Sequence, residues 1–460
     1  MNIHKSKIMW FVYLVLLVCM ALPQGFDTII NQKGEQKLLA SSTAQEIIDF
    51  HGDGDMGSYA KGGRFFKNNN IDAIKECWFI NCWAPGMFVL YAVLLKLGET
   101  TPAVFFIVMM SVVLWASIFN KINNLLNQTF EINSFISFIV PLMLLLISFF
   151  REMILGNFVL LSESFSMGVF VLAVLFLVNN LYNNKKTDLI LSVLFFILAA
   201  YIKASFDFYM RIFTLIWIVS WTLTMILQLL KNKNKLGTIN KNSFSTIFSL
   251  HKKIIFILIC FFVFTLPWRI FHTPSWINIS YMYSYIWKSD EQLNGPNFVT
   301  EGGVNASACH IDPETCKIFR EKFNQGSESD GIFTKNLIKK TRSLIIAHPF
   351  AWLYYKLPFL SKYWFQEGNS HATVQTVALN IMFTINLLVI FALALKNRKS
   401  LDLFLVLVVL SLGLSSILPS LVLHFEARYL YPLKLFSCIA LIISVAAWIQ
   451  SLKNRNSISQ

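Results

Sequence analysis

The chain reads as an all-α polytopic membrane protein, with about ten transmembrane helices and two long outer loops bearing interfacial helices. Three observations lead there. Of 460 residues, 55% are hydrophobic and only 14% are charged, where a soluble globular protein carries about 25% charge. The mean hydropathy is +0.57. The apolar stretches are continuous rather than alternating, which excludes an outer-membrane barrel. A soluble enzyme, a disordered chain and a disulfide-stapled secreted module are excluded on the same composition.

A bilayer is crossed by about 20 mostly apolar residues. Ten stretches qualify: 8–23, 103–120, 134–150, 158–178, 189–206, 210–229, 254–273, 374–395, 402–422 and 430–450. Lys5 and Lys7 precede the first, so a signal peptide is an alternative there. With the N-terminus in the cytoplasm, the inner segments hold sixteen Lys and Arg against Glu131, Asp188 and Asp402. That asymmetry follows the positive-inside rule and places both termini in the cytoplasm. It accounts for nearly all of the +14 net charge, so nucleic acid is not an expected partner. Membrane lipid is. The segment 231–253 is polar, rich in Lys and Asn, and reads as a cytoplasmic linker.

Residues 1–460 form one transmembrane domain in this reading, and the segments 24–102 and 274–373 are the long outer loops. Cys77, Cys82, Cys309 and Cys316 all fall in them. Their proximity in sequence suggests the pairs Cys77–Cys82 and Cys309–Cys316 in an oxidising compartment; free thiols are the alternative.

The first outer loop contains His51-Gly52-Asp53-Gly54-Asp55-Met56-Gly57-Ser58-Tyr59, followed by Lys61-Gly62-Gly63-Arg64. Its glycines permit close backbone approach. In a helix Asp55 and Tyr59 share one face; a solvated turn with an N-capping Asp is the alternative. Trp83-Ala84-Pro85-Gly86 then opens an apolar run from Met87 to Leu97. It is too short for a comfortable span and fits a helix along the interface.

Ionisable residues crowd the outer ends of the spans: Arg151 and Glu152, Glu163, then Lys203, Asp207 and Arg211, then Arg269, and His424 to Tyr429. Charge at membrane depth is costly, so such groups pair or line cavities. Snorkelling accounts for Lys203, Arg211 and Arg269, but poorly for the short stem of Glu163. Cations at this level suit a lipid phosphate, and a loop carboxylate suits activation of a hydroxyl. Phosphate-binding P-loop, zinc-protease and nucleophile-elbow patterns are absent from the sequence.

In four places the chain resembles the GT-C superfamily of polytopic glycosyltransferases. It looks most like the bacterial branch with the lipid A aminoarabinose transferases, protein O-mannosyltransferases and lipopolysaccharide-core sugar transferases. Asp55-Met56-Gly57-Ser58-Tyr59 is similar to the family's Asp-x-x-x-Tyr, and Trp83-Ala84-Pro85-Gly86 to its Pro-rich start of an interfacial helix. Leu161-Ser162-Glu163-Ser164 is similar to a Glu-bearing stretch opening the fourth span. Glu426-Ala427-Arg428-Tyr429-Leu430-Tyr431-Pro432 is similar to the Arg-Tyr-x-x-Pro near the last spans. His348-Pro349-Phe350 is a looser likeness. In span order the resemblance covers residues 1–450. Two departures are the single Pro85, where the family often has two prolines, and the end of this sequence at Gln460 without the family's frequent soluble domain.

The resemblance implies an integral protein of the bacterial inner membrane with a periplasmic active site serving the cell envelope. It implies inverting transfer of a hexosyl or pentosyl unit from a polyprenyl-phosphate-linked donor to a lipid, glycan or protein acceptor. Asp55 would take the acceptor's proton, with Asp53 its rival. Arg428, beside Tyr429, would hold the phosphate by its motif; Lys203, Arg211 and Arg269 join it by position. Tyr59 and Glu163 would contact substrate. A divalent cation, magnesium or manganese, is an open question; Asp53, Asp55 and Glu163 are its candidate ligands if they converge. A transporter or lipid-carrier flippase, and a surface-polysaccharide polymerase or ligase, are the competing functions.

Overall fold

The computed structural model describes residues 3–23, 28–30, 36–38, 46, 62–68, 85–97, 103–147, 150–151, 154, 162–233, 241–271, 283, 286–287, 307–325, 331–365, 374–397, 400–422 and 427–458. Fifteen helices dominate them. One departure from all-α structure is an antiparallel ribbon, β1 (Thr28–Ile30) and β2 (Gln36–Leu38), with Ile29 opposite Lys37.

Helix α1 (Ile3–Ala21) packs on α3 (Ala103–Asn124). Between them in sequence lies α2 (Pro85–Leu97), which begins on the expected Pro85, where a missing N–H costs nothing. α3 passes through a π turn into α4 (Ser134–Leu142), whose last part tightens into a 3₁₀ turn after Pro141. The antiparallel pair α5 (Ser162–Asn183) and α6 (Lys186–Ile202) forms the most intimate helix contact. Asn184 turns the chain between them at φ 52°, a left-handed conformation that Asn tolerates well. Next come α7 (Ser205–Lys233) and α8 (Lys241–Phe271). Both extend into the 231–253 segment read as a linker, so much of it is helical.

The second long loop contributes α9 (Ser307–Ile311), α10 (Pro313–Asn324), α11 (Gly331–Ala347) and α12 (Pro349–Phe365). The bundle closes with α13 (Val374–Asn397), α14 (Ser400–Val422), a 3₁₀ turn Ala427–Leu430, and α15 (Tyr431–Ile458).

Six helices are long and apolar enough to cross a membrane, at Phe165–Asn183, Ser205–Leu223, Leu250–Arg269, Val374–Lys396, Leu401–Pro419 and Tyr431–Asn454. This is a multi-pass architecture. The expected spans 8–23 and 134–150 correspond to shorter apolar helices, Ser6–Ala21 and Ser134–Leu146, and 189–206 falls on the 17-residue α6. The expected turn at 206–210 is helical. The chain turns at Lys203 and Ala204, because Asp207 is well placed in the first turn of a helix.

The helices share one large apolar core, in which Trp115, Phe119, Phe170, Phe206, Phe261, Phe383 and Phe436 are buried. At one end of the bundle, polar ties hold the turns. Lys121 pairs with Asp188 at 3.4 Å, Lys253 Nζ donates to the Asn180 carbonyl at 3.3 Å, and Lys453 Nζ donates to the Glu131 carbonyl at 3.1 Å. These are lysines of the segments read as cytoplasmic.

Three close approaches fix the end of the first long loop. Gly62 and Gly63, in the helical stretch 62–67, lie against Phe88 and Tyr91 of α2, where a Cβ would come within 2.5 and 2.6 Å of side-chain atoms. Gly86 abuts α6, and a Cβ there would stand 2.8 Å from the Tyr201 carbonyl oxygen and 3.1 Å from its carbon. Backbone cannot yield as a side chain can. Gly86→Ala is expected to cost about 1–3 kcal/mol by overpacking, measured as thermal stability in detergent. Gly413→Ala, whose Cβ meets only the Leu433 Cδ2 at 3.8 Å, serves as the tolerated control.

The second loop has its own apolar centre, with Trp287, Phe319, Phe333 and Leu337 buried together. Cys309 and Cys316 are disulfide-bonded there, with Cα atoms 5.0 Å apart. Cys77 and Cys82 lie outside the described residues. Asp312 caps α10, accepting from the Thr315 backbone N–H at 3.1 Å and hydroxyl at 2.7 Å. It also pairs with Lys340 of α11 at 3.1 Å. Burial raises the Asp312 pKa, but the Thr315 hydrogen bonds and Lys340 outweigh it and hold the carboxyl below 3.8. A depressed carboxyl contributes stability above its unfolded value and loses it on protonation. The α10–α11 contact should therefore weaken as pH falls below 3.8, and Asp312→Asn should flatten that part of the profile in pH-dependent thermal unfolding.

Candidate functional site

The site grows from the corner between α6 and α7. Helix α6 ends because Lys203 is extended, at φ −142° and ψ 119°. Its backbone N–H still donates to Ala199 at 2.9 Å. Phe206 N–H donates to the Lys203 carbonyl, and Asp207 N–H to that of Ala204, each at 3.0 Å. This starts α7 with a buried carboxylate in its first turn.

Asp207 gathers two arginines. Arg211, one turn along α7, donates Nε and Nη2 to Oδ2, each at 2.9 Å. Arg269, in the last turn of α8, donates Nε to Oδ1 at 2.9 Å and Nη2 to the same oxygen. Its guanidinium lies 4.6 Å from the Phe262 ring centre, and the Tyr201 hydroxyl donates to the Phe264 carbonyl at 2.8 Å, joining α6 to α8. Arg269 is largely enclosed, whereas 55% of the Arg211 side chain is exposed. Two guanidinia on one carboxylate leave one net positive charge. Each has five N–H donors in a fixed fork, so the cluster retains donors for an anion on its open side.

Asp207 was legible as a charge near Arg211, but its central role was missed. It is the carboxylate that fixes both arginines, and its position four residues before Arg211 was the available signal.

A small apolar crevice lies among the helices. Phe170, Phe196, Tyr209, Phe213, Ile257 and Phe404 are among its walls, drawn from α5, α6, α7, α8 and α14. Tyr209 and Phe213 follow Asp207 on α7 within two turns. Ser411 is a polar member, and its hydroxyl donates to the Leu407 carbonyl at 2.6 Å. The N-terminus of α2, carried on Gly86, stands against Tyr201 and Ile202 beside the same corner.

The other expected residues are distributed as follows. Glu163 is in the first turn of α5 and Arg428 is in the 3₁₀ turn before α15; the side chains of both lie outside the described set. Tyr429, partly buried, accepts from the Ser416 hydroxyl through its carbonyl at 3.0 Å. Arg151 is exposed. Asp53, Asp55 and Tyr59 lie outside the described residues. Among the described residues no three His, Cys, Asp or Glu side chains group as metal ligands.

Two buried lysines were not anticipated. Lys434, one turn and a half beyond Arg428, has its Nζ 5.5 Å from the Trp364 ring and 5.7 Å from Phe383. Lys356 of α12 is fully buried, with its Nζ 5.6 Å from Trp352. Lys434 stands within an apolar run read as a span, which is the signal that would have found it.

Comparison of the chain with protein-family models, with curated proteins and with solved structures returns no match in any of the three.

Proposed function

We propose that this chain is a membrane glycosyltransferase moving a sugar from a polyprenyl-phosphate donor to an acceptor hydroxyl or amine. The observation that carries the reading is the Asp207–Arg211–Arg269 cluster, whose half-exposed Arg211 offers guanidinium donors to an anion. An anionic lipid headgroup requires such donors at the edge of an apolar bundle. In this reading ten helices span a bacterial inner membrane, both termini are cytoplasmic, and the cluster faces the periplasm. The lysine-rich turns at the opposite end of the bundle support that orientation.

The chemistry divides between two groups. The acceptor oxygen attacks the anomeric carbon from the face opposite the phosphate, as the bond from that carbon to the phosphate oxygen breaks. Asp55 takes the acceptor's proton. The electron pair leaves with the phosphate, where Arg211 and Arg269 stabilise the growing charge. Lys203 and Arg428 add positive potential, and Tyr59, Glu163 and Tyr429 orient the sugar or acceptor. Asp55 precedes Gly62 by seven residues, a tether of at most about 25 Å, and Gly62 packs on α2, whose first turn touches the α6 corner. That tether supports bringing the loop carboxylate to the arginines.

The test is donor turnover. Purified protein in lipid, given polyprenyl-phosphate-linked sugars with single-sugar and oligosaccharide heads, is expected to release polyprenyl phosphate from a single-sugar donor. Turnover of oligosaccharide donors alone would assign a polymerase or ligase. Movement of intact donor across the bilayer without bond cleavage would assign a flippase.

A further inference from the structure

Helix α8 has a weak point two residues before Arg269, because Pro267 lies inside it. A proline has no N–H for the carbonyl four residues back, here that of Val263, and its ring crowds that carbonyl, so the helix bends easily there. One flank of the turn is open: Val263 is 57% exposed, Phe264 60% and Leu266 50%. Arg269 stands beyond the bend, so the direction of its guanidinium depends on the bend angle.

Tyr201 of α6 bridges the break. Its hydroxyl donates to the Phe264 carbonyl at 2.8 Å, on the near side of the proline. Its ring meets that of Trp268, on the far side, with centroids 6.3 Å apart and planes at 46°, within the range of favourable aromatic pairs. Trp268 is buried and directly precedes Arg269. The Arg269 guanidinium folds back over the same break, 4.6 Å from the Phe262 ring centre and 5.6 Å from that of Phe261. From the other side, Gly86 of α2 abuts the Tyr201 carbonyl, so Tyr201 is seated between α2 and α8.

The arrangement recurs at a second proline. Pro141 lies inside α4, and the Tyr13 hydroxyl of α1 donates to the Phe138 carbonyl at 2.9 Å. Both acceptor residues stand three before the proline. In lipid, backbone groups loosened by a proline are satisfied from neighbouring helices, and at both breaks a tyrosine hydroxyl reaches across to do so.

We infer that Tyr201 is a positioning residue for anion binding: it braces α8 across Pro267 and so holds the Arg269 guanidinium on Asp207, where the cluster takes a phosphate. This role rests on the reading of the arginine cluster as the donor-phosphate site.

The experiment uses the full-length protein in nanodiscs and two readouts, equilibrium binding of polyprenyl phosphate and amide hydrogen exchange of residues 268–271. Tyr201→Phe keeps the ring and loses the donor. It is expected to weaken binding by about three- to tenfold, the usual effect of one hydrogen bond, and to speed exchange of 268–271 by a similar factor. In the Arg269→Gln background, adding Tyr201→Phe should change affinity by less than about twofold, because the tyrosine acts through the arginine. In the Pro267→Ala background, where α8 regains its N–H, Tyr201→Phe should leave both readouts within about twofold. Tyr13→Phe, the same loss at Pro141, should lower thermal stability and leave affinity unchanged. Should Tyr201→Phe fail to accumulate, recovery on adding Pro267→Ala supports the brace and no recovery contradicts it. Unchanged affinity and exchange in Tyr201→Phe, or an equal loss of affinity in the Arg269→Gln background, would overturn the inference and leave the donor reading in place. Wild-type affinity in Arg269→Gln alone would overturn the donor reading, and the role of Tyr201 with it.

Discussion

Asp55→Asn is expected to lower sugar transfer by about 10²–10⁴-fold, the usual contribution of a positioned general base, while the protein accumulates in the membrane at wild-type level. The carboxamide keeps the shape and several hydrogen bonds of the carboxylate but does not take a proton near neutral pH. The described end of that loop is anchored on α2 and α6 through Gly62, Gly63 and Gly86. Loss of turnover with retained insertion therefore separates chemistry from folding. Asp53→Asn resolves the two neighbouring carboxylates: the base is the one whose loss is the more severe. Normal transfer by Asp55→Asn would remove that residue from the mechanism.

Asp207→Ala should be the most damaging substitution for stability among the charged residues. Asp207 is buried and bonded to both guanidinia. Its removal leaves Arg269 largely enclosed with its charge uncompensated, and breaking such a buried pair from one side costs about 3–5 kcal/mol. The expected result is a large drop in melting temperature in detergent and reduced accumulation. Arg211→Gln should be much milder for stability, because that side chain is 55% exposed and exposed pairs contribute about 0–1 kcal/mol. It should still weaken donor binding, since Arg211 supplies the accessible fork. Equal stability of Asp207→Ala and the wild type would mean that the cluster is not held together by this carboxylate.

The architecture was legible where composition alone decides it. Long apolar runs must be helical to satisfy their backbone, and the positions of α7, α8, α13, α14 and α15 follow from them. Pro85 marked the start of α2 because proline is tolerated in the first turn. Finer features were set by contacts that no local pattern carries. The end of α6 at Ile202 depends on Lys203 being extended and on Asp207 lying in the first turn of the next helix. Gly62 and Gly63 read as freedom to approach a ligand or the membrane; in the fold they admit Phe88 and Tyr91 of α2.

The same division holds in the site. Arg211 and Arg269 were singled out by position, yet they lie 58 residues apart in sequence, and only tertiary packing reveals that they share Asp207. Lys356 and Lys434 stayed unnoticed because each is a cation flanked by apolar residues in a helix, where snorkelling is the usual outcome. Their burial beside Trp352 and Trp364 shows that they do not reach water.

The account rests on an anionic headgroup and a long apolar tail being held by one corner of the bundle. Its most direct test is equilibrium binding of polyprenyl phosphate, without sugar, to the purified protein and to Arg269→Gln, with a neutral polyprenol as the comparison ligand. The account predicts saturable binding of the phosphate over the alcohol, and at least about a tenfold loss in Arg269→Gln, as expected for removal of a charge-assisted contact. Equal affinity for phosphate and alcohol, or unchanged phosphate affinity in a folded Arg269→Gln protein, would contradict it.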